Sequence, residues 1–204
     1  IIGVDNLNNY YDTKIKKERL KILKEYKNFI FIKGDLKNKS ILGKIRNLKN
    51  INFIYHFAGQ AGVRYSIKQP VEYIKDNIIS YINLLEAFKF SNNLKAIFYA
   101  SSSSIYGNQF NKSSNLNTVR PISVYAVSKI SMELLSQVYL SLYKVKSIGL
   151  RFFTVYGPWG RPDMAYFKFC NLYRKKKKIE VYNKGNHYRS FTYIDDVINN
   201  ILLI

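Results

Sequence analysis

The sequence predicts an α/β fold in which helices cover both faces of a doubly wound parallel sheet. Short, almost wholly apolar runs alternate along the chain with longer stretches whose apolar residues recur at helical spacing. Polar residues follow several of the apolar runs, at the edge where sheets of this kind bind ligands. The alternation changes at 157–163, a loop rich in glycine and proline, and we expect a smaller region to start there.

Each element has its own signal in the sequence. Strands are expected where a short apolar run is bounded by turn residues, at 1–5, 29–33, 51–57, 94–100 and 147–153. Helices are expected where apolar residues recur every three or four positions, at 13–26, 40–48, 70–90 and 123–143. Ser40 is a suitable N-cap for the second helix, because its hydroxyl can accept a bond from the first turn. A further strand is expected at 179–182, directly after the basic block 174–178.

The composition is typical of a globular protein, with 47% hydrophobic residues among 204. No uninterrupted apolar run reaches about 18 residues, so no membrane span is expected. The first residues lack the basic start and the cleavage site of a signal peptide. Cys170 is the single cysteine, so the chain cannot form an internal disulfide. Together these features predict a cytoplasmic location.

The net charge of +20, from 33 basic and 13 acidic residues, has two interpretations. A strongly basic chain can bind nucleic acid. Here the lysines are spread through amphipathic stretches such as 13–26, which is typical of solvated helix faces. We therefore expect no nucleic-acid partner, and a surface that attracts an anionic small ligand.

Tyr125 and Lys129 are the side chains that point most directly to chemistry. They lie four residues apart on the helix predicted at 123–143, so they share one face. A phenol has a pKa of ~10, and a nearby ammonium favours the phenolate and lowers that pKa. A phenolate can take a proton from a sugar hydroxyl. Tyrosine and lysine are abundant in this chain, so the pair alone is also consistent with a solvated surface pair. The other motifs of the chain distinguish these two interpretations.

Several motifs accompany this pair in order along the chain. They are Val4-Asp5-Asn6, Gly34-Asp35-Leu36, His56-Phe57-Ala58-Gly59, Asp76-Asn77, Ser101-Ser102-Ser103-Ser104 and Arg189-Ser190-Phe191-Thr192-Tyr193. With them the chain resembles the extended short-chain dehydrogenase/reductase superfamily, in its nucleotide-sugar epimerase/dehydratase branch. The resemblance covers nearly the whole chain and implies a Rossmann-like sheet and NAD as cofactor. Within the branch, 61–66 and 150–165 look like the corresponding runs of UDP-glucuronate 4-epimerases.

The chain departs from the family pattern at both ends. The family's phosphate loop, Gly-x-x-Gly-x-x-Gly, joins its first strand to its first helix, whereas this chain begins at what resembles the second strand. The family also continues beyond Ile204. The resemblance therefore implies an internal fragment, in which 1–155 forms an NAD-binding domain without its first strand and glycine-rich loop. Residues 156–204 would form an incomplete substrate-binding region with segments that return to the core.

The resemblance implies a 4-epimerase that oxidises a UDP-sugar transiently at C4 and returns hydride to the opposite face, most directly converting UDP-glucuronate to UDP-galacturonate. Tyr125 would take the proton of the 4-hydroxyl. Lys129 would lower the pKa of Tyr125 and contact the nicotinamide ribose, and Ser102 would hydrogen-bond the reacting oxygen. These three residues are the predicted catalytic set.

Further positions are predicted to bind the cofactor and the sugar. Asp5 ends a predicted strand, where a carboxylate accepts bonds from ribose hydroxyls and repels a 2′-phosphate, which favours NAD over NADP. The other predicted NAD positions are Asn6, Asp35, Leu36, Ala58, Gly59, Asn77, Tyr125 and Lys129. Arg161 offers a planar fork suited to the sugar carboxylate. The other predicted substrate positions are Ser103, Ser104, Thr154 and Arg189, the last near the UDP phosphates.

Three alternatives stay open at this point. Another nucleotide-sugar 4-epimerase would share every feature except the runs at 61–66 and 150–165. A 4,6-dehydratase would normally carry an acidic pair beside Ser102, where this chain has Ser103 and Ser104. An inactive fragment that acts at most as a basic binding module would account for the absent phosphate loop and the charge.

We expect neither a metal site nor a membrane partner. One cysteine and two distant histidines, His56 and His187, give no spacing typical of metal ligands. His56 lies inside an apolar strand, where a structural role is expected. The family commonly pairs its two long helices between subunits, so the resemblance implies a homodimer through 70–90 and 123–143.

Overall fold

The computed structural model describes residues 1–48, 50–109, 119–186 and 188–204, so His187 lies outside the described residues. The described chain forms two compact units, one of Gly34–Phe152 and one of Ile1–Lys33 with Phe153–Ile204. These units do not coincide with the functional division expected from the sequence, in which 1–155 bind NAD and 156–204 bind the substrate. That functional division stays a prediction.

Strands and helices alternate as an α/β fold requires. The described strands are β1 (Ile2–Asp5), β2 (Ile30–Lys33), β3 (Phe53–His56), β4 (Ala96–Ser102), β5 (Ser147–Phe152), β6 (Thr154–Tyr156) and β7 (Phe191–Tyr193). The described α-helices are α1 (Thr13–Lys24), α2 (Lys39–Arg46), α3 (Val63–Lys68), α4 (Pro70–Tyr73), α5 (Ser80–Phe88), α6 (Val124–Tyr143), α7 (Ala165–Arg174) and α8 (Ile194–Leu203). A π-helical segment (Ile74–Ile79) joins α4 to α5, and 3-10 segments cover Ser103–Gln109 and Tyr182–Gly185.

The larger unit is built on a parallel sheet with the strand order β3-β4-β5. β4 lies in the middle, and its residues from Ala96 to Tyr99 are all buried, because helices cover a parallel sheet on both faces. The register places Ser101 of β4 beside Arg151 of β5. The polar carboxyl end of the central strand is therefore fixed against its neighbour.

Helix α6 carries the predicted Tyr-Lys pair, and its limits follow from its caps. Ser123 precedes it, and its hydroxyl accepts a hydrogen bond from the amide of Ala126 at 3.1 Å. The helix ends where Lys144 adopts a left-handed conformation with φ of 60°. Five of its six buried side chains recur at helical spacing, namely Ala126, Lys129, Met132, Ser136 and Tyr139, and the sixth is Ser128.

The long helix predicted at 70–90 contains a wide turn that the apolar spacing did not indicate. Pro70 begins it, at the first position, where a missing N–H costs nothing. The backbone then widens into the π-helical turns of Ile74–Ile79 before α5 resumes. Such turns are frequent at functional sites, and this one carries the buried Asn77.

The second unit holds two short parallel pairs of strands. β1 pairs with β2, so that Asp5 lies opposite Lys33, and β6 pairs with β7. Asp12 caps α1 by accepting a bond from the amide of Lys14 at 2.9 Å. Every described strand pair in both units is parallel, as the sequence predicted.

Three local expectations were wrong. β4 extends to Ser102, so the first two serines belong to a strand. The cap of α2 is Asn38, whose side chain accepts a bond from the amide of Ser40 at 2.9 Å and so starts the helix one residue earlier than expected. No strand forms at 179–182, because 179–181 are exposed and have no described strand beside them, and left-handed Asn183 and Lys184 turn the chain away. In the described ranges, no helix is long and apolar enough to cross a membrane.

Candidate active site

Tyr125 and Lys129 lie together on the first two turns of α6. The Lys129 Nζ atom lies 5.8 Å from the centroid of the Tyr125 ring, as expected for side chains one turn apart. Lys129 is 4% exposed, whereas Tyr125 is half-buried. The pair is therefore no solvated surface pair, because its cation is enclosed by the protein.

The surroundings of the Lys129 ammonium are unusual for a charged group. Its one hydrogen-bond contact is with the thioether Sδ of Met132 at 3.9 Å, and no oxygen of the described chain accepts from it. Burial lowers the pKa of Lys129 to about 8. A buried ammonium without an oxygen acceptor in the described chain is costly, and such groups are frequent at functional sites.

Gly59 brings the backbone close to this ammonium. It has a φ of 150°, and a Cβ at this position would lie 3.9 Å from the Lys129 Nζ atom and 2.6 Å from the Oδ1 atom of Asn77. Any larger side chain would be strained and would clash, so only glycine fits. Ala58 beside it is exposed after the end of β3. Both positions leave room for a ligand to approach the backbone.

Asn77 connects the Gly59 loop to helix α6. Its Oδ1 atom accepts from the amide of Gln60 at 2.7 Å, and its Nδ2 atom donates to the carbonyl of Gln60 at 3.0 Å. Nδ2 also donates to the Ser128 hydroxyl at 2.8 Å, and that hydroxyl donates to the carbonyl of Tyr125 at 2.7 Å. The fully buried amide thus holds the Gly59 loop against the start of α6.

The four serines at the end of β4 are not a solvated turn. Ser101 and Ser102 are buried, and the Ser102 hydroxyl accepts a hydrogen bond from the amide of Ser104 at 3.2 Å. Ser103 and Ser104 are half-buried in the 3-10 segment that follows. The strand end therefore holds two buried hydroxyls in place and is followed by two half-buried ones.

Glu133 and Arg151 form an ion pair behind these serines, which sequence reasoning missed. Arg151 donates from Nε to Oε1 of Glu133 at 3.0 Å and from Nη2 to Oε2 at 2.8 Å. The hydrogen bond to Glu133 raises the pKa of the Arg151 guanidinium above its ordinary value. Arg151 also donates to the Tyr106 hydroxyl at 3.0 Å. The signals were the placement of Glu133 four residues after Lys129 and of Arg151 at a strand end.

His56 is buried beneath the site and stacks on the ring of Tyr81 at 5.3 Å between centroids. Burial, with the charge of Lys129 as a second cause, lowers the pKa of His56 to about 3. The imidazole is therefore neutral at physiological pH, in agreement with the structural role expected for it. In the described part of the chain, no group of three or more potential ligands is placed to hold a metal ion.

Asp35 and Leu36 follow β2 at the start of the larger unit. The Oδ1 atom of Asp35 accepts from the amide of Lys37 at 2.9 Å, and the ammonium of Lys37 forms ion pairs with Asp35 and Asp76. The carbonyl of Leu36 accepts from the Asn83 side chain at 3.2 Å. This turn is thus tied to the π-helical segment and to α5.

The predicted ribose-binding carboxylate lies in the second unit. Asp5 ends β1, and its Oδ1 atom accepts from the amide of Leu7 at 2.6 Å and lies 3.8 Å from the ammonium of Lys16. Asn6 forms a similar turn by accepting from the amide of Asn8 at 3.0 Å. The Asp5 side chain is half exposed.

The predicted substrate positions of this unit lie on three separate segments. Thr154 begins β6, and its amide donates to the carbonyl of Ser190 at 3.1 Å. Arg161 directs its fork at Asp163, with Nε to Oδ1 at 3.0 Å and Nη2 to Oδ2 at 2.7 Å. Arg189 is exposed and donates to the carbonyl of Tyr188 at 2.7 Å. Sequence reasoning missed Asp163 as the partner of Arg161.

Comparison with known proteins identifies a family and several relatives of this chain. The family model described as "NAD dependent epimerase/dehydratase family" matches residues 1–204. The uncharacterized protein MJ1055 of Methanocaldococcus jannaschii is 48% identical over 206 residues, which cover 99% of this chain and 62% of that protein. UDP-glucuronate 4-epimerase 2 of Arabidopsis thaliana is 42% identical over 99% of this chain and 48% of its own length.

A solved structure has the same fold. The UDP-glucuronic acid 4-epimerase of Bacillus cereus, crystallised with UDP-glucuronic acid and NAD, superimposes with a TM-score of 0.91 at 33% identity, over 98% of this chain and 63% of that one. The Rossmann-like parallel fold predicted from the sequence is thereby confirmed. This chain spans about half to three fifths of the length of the curated relatives named here. The chain belongs to the NAD-dependent epimerase/dehydratase family.

Proposed function

We propose that this chain forms the catalytic part of an NAD-dependent UDP-sugar 4-epimerase whose substrate is UDP-glucuronate. The observation that carries the proposal is the buried Lys129 ammonium, one turn from Tyr125, with only a thioether as hydrogen-bond partner in the described chain. Such a cation is suited to hold a hydroxyl of a ligand and to stabilise a phenolate. The ammonium of a solvated surface pair would be hydrated by water and would not require a ligand hydroxyl.

The residues of the larger unit fit NAD. The Lys129 ammonium needs oxygen acceptors, which the ribose hydroxyls of the cofactor provide, and Gly59 leaves the space that a Cβ would fill. Asp35, Leu36, Ala58 and Asn77 would line the same cofactor or support the loop beside it. In the second unit, Asp5 and Asn6 would bind the adenosine ribose, and the Asp5 carboxylate would repel the 2′-phosphate of NADP.

NAD, when bound, accepts hydride from C4 of the sugar and later returns it. The chain's own residues move the proton. The Tyr125 phenolate takes the proton of the 4-hydroxyl as the ketone forms, and gives it back when the alcohol is restored. The Lys129 charge stabilises the phenolate, and Ser102 donates a hydrogen bond to the reacting oxygen. Because C4 is planar as a ketone, the sugar can present its opposite face before it is reduced.

Recognition of the sugar acid would fall to residues that bind anions and hydroxyl groups. Arg161 would hold the carboxylate in its planar fork, exchanging Asp163 for the substrate. Hydroxyl donors would come from Ser103, Ser104 and Thr154, and Arg189 would lie near the UDP phosphates. Support for this substrate comes from the relatives named UDP-glucuronate 4-epimerase and from the absence of an acidic pair after Ser102, which disfavours a dehydratase.

Incubation of the full-length protein with UDP-glucuronate tests the proposal. UDP-galacturonate should appear without added reductant, and Tyr125→Phe should reduce turnover by at least about a thousandfold, since the phenol is the only acid-base group assigned to the step. Tyr173→Phe, an exposed tyrosine of α7, is the matched control. Full activity of Tyr125→Phe would refute the mechanism. Faster turnover of UDP-galactose or UDP-N-acetylglucosamine would correct the substrate.

A homodimer through α6 is the partner arrangement that we propose. Leu134, Val138 and Leu142 form an apolar stripe at four-residue spacing, and they are 55%, 49% and 64% exposed. A contiguous apolar stripe on a 20-residue helix is typical of a protein interface. Light scattering of the full-length protein should give twice the monomer mass. Leu134→Glu with Val138→Glu should give the monomer, whereas Ile22→Glu on α1 should not.

A further inference from the structure

Glu133 makes an unusually complete set of hydrogen bonds for a carboxylate outside the catalytic pair. Its Oε1 atom accepts from the Ser101 hydroxyl at 2.5 Å and from Nε of Arg151 at 3.0 Å, and its Oε2 atom accepts from Nη2 of Arg151 at 2.8 Å. Its side chain is 11% exposed. The contact is thus bidentate and charge-assisted; its carboxylate is largely removed from water, whereas the Arg151 side chain is 31% exposed.

This contact joins the elements on which the catalytic residues lie. Glu133 follows Lys129 by one helical turn on α6. Its contacts therefore hold the part of the helix that carries Tyr125 and Lys129. Ser101 directly precedes Ser102 on β4, and Arg151 lies beside Ser101 in the neighbouring strand. One carboxylate therefore ties α6 to the ends of two strands.

Arg151 extends the contact to the segment with the next two serines. Its Nη1 atom donates to the Tyr106 hydroxyl at 3.0 Å, and its guanidinium lies 5.3 Å from the centroid of the Tyr106 ring. Tyr106 is buried in the 3-10 segment that begins with Ser103 and Ser104. The chain of contacts from Glu133 thus reaches the segment that presents these two hydroxyls.

Stability alone is a poor explanation for this pair. The Glu133 carboxylate loses most of its hydration and Arg151 loses part of its own, and apolar residues of similar volume often replace such a pair without loss of stability, or with a gain. A fork bonded to a carboxylate differs from apolar packing in one respect, because it fixes distance and orientation together. That property matters where a hydroxyl and a phenol must meet the same sugar oxygen.

We propose that Glu133, through Ser101 and Arg151, is a positioning residue that sets Ser102 against Tyr125 and Lys129. This inference rests on the proposed epimerase function. It predicts that turnover depends on the bidentate pair even if the stability of the fold does not. The reason is that misplacement of a reacting group by about 1 Å can cost about a hundredfold in rate.

Two variants of the full-length protein separate positioning from stability. Glu133→Gln keeps the shape and one acceptor but loses the charge. The double variant Glu133→Met with Arg151→Met replaces the pair by apolar volume. Both should retain the KM for the UDP-sugar within about threefold, while kcat falls about 10- to 100-fold. The denaturation midpoint of the double variant should be at or above that of the wild type.

Glu86→Gln is the matched control. Glu86 also binds α6, because it accepts from the Tyr139 hydroxyl at 2.6 Å, but Tyr139 lies nearly three turns beyond Lys129, whereas Glu133 lies only one turn beyond it. Its kcat should equal that of the wild type. A double variant with wild-type kcat, or a kcat that falls only in proportion to the folded fraction, would overturn the inference. An inactive wild type, or an active Tyr125→Phe, would instead overturn the proposed function on which it rests.

Discussion

Replacing Lys129 by methionine is expected to stabilise the folded protein and to abolish its activity. Lys129 is buried, and its ammonium contacts the thioether of Met132 in place of an oxygen. A methionine has nearly the same length and no charge, and it packs well against another thioether. The substitution therefore removes the cost of burying a charge without opening a cavity.

The pKa of Lys129 gives the size and sign of the effect. The pKa falls from 10.5 to about 8 on burial, and at ~1.4 kcal/mol for each tenfold change this corresponds to about 3 kcal/mol. Between these two values the unfolded chain binds more protons than the folded one, so stability rises with pH. Below about pH 8 the full cost is present, and it is lost as the pH approaches 10.5.

Urea denaturation of both proteins at several pH values measures this cost directly. Lys129→Met should be more stable than the wild type by up to about 3 kcal/mol at pH 7, and the difference should shrink towards pH 10.5. Lys146→Met, at an exposed lysine before β5, should show neither effect. A Lys129→Met protein that is less stable at pH 7, or a difference independent of pH, would refute the reasoning.

Three further predictions concern the surroundings of the pair. His56→Phe, which keeps the ring stack on Tyr81, should resist acid, because the wild type loses up to about 5 kcal/mol as the pH falls from 6.5 towards 3; urea midpoints at pH 7 and 4.5 test this. Gly59→Ala should weaken NAD binding at least about tenfold in calorimetry, because its Cβ would clash with the Asn77 amide. Asn77→Ala should cost on the order of 3 kcal/mol in denaturation, because the backbone of Gln60 loses both buried partners, and full stability would contradict this.

The sequence predicted what depends on local pattern. The parallel strands and α6 follow from apolar runs and helical spacing, and the neighbouring positions of Tyr125 and Lys129 follow from the helix itself. The π-helical turns of Ile74–Ile79 were missed, because apolar spacing over six residues does not separate a π turn from an α turn. The burial of Lys129 was missed as well, since no local pattern distinguishes it from the exposed lysines of α1.

Contacts between residues that are distant in the sequence could not be predicted for a different reason. Glu133 and Arg151 are 18 residues apart, on a helix and a strand, and only the register of β4 with β5 brings them together. Asp163 is close to Arg161 in sequence, but a loop gives no periodicity from which a bidentate contact follows. Side-chain partners in irregular segments are set by the folded backbone, which a single sequence does not specify.

The free-energy cost of burying the Lys129 ammonium also explains why the elements around it are joined by several hydrogen bonds. A buried ammonium next to a neutral His56 favours any opening that admits water, so the elements around it must be held by contacts that do not depend on it. Asn77 binds the Gly59 loop to α6 on one side, and Glu133 with Arg151 binds the strand ends to α6 on the other. A buried cation surrounded by buried hydrogen bonds is the pattern expected of the catalytic role that we propose for Lys129.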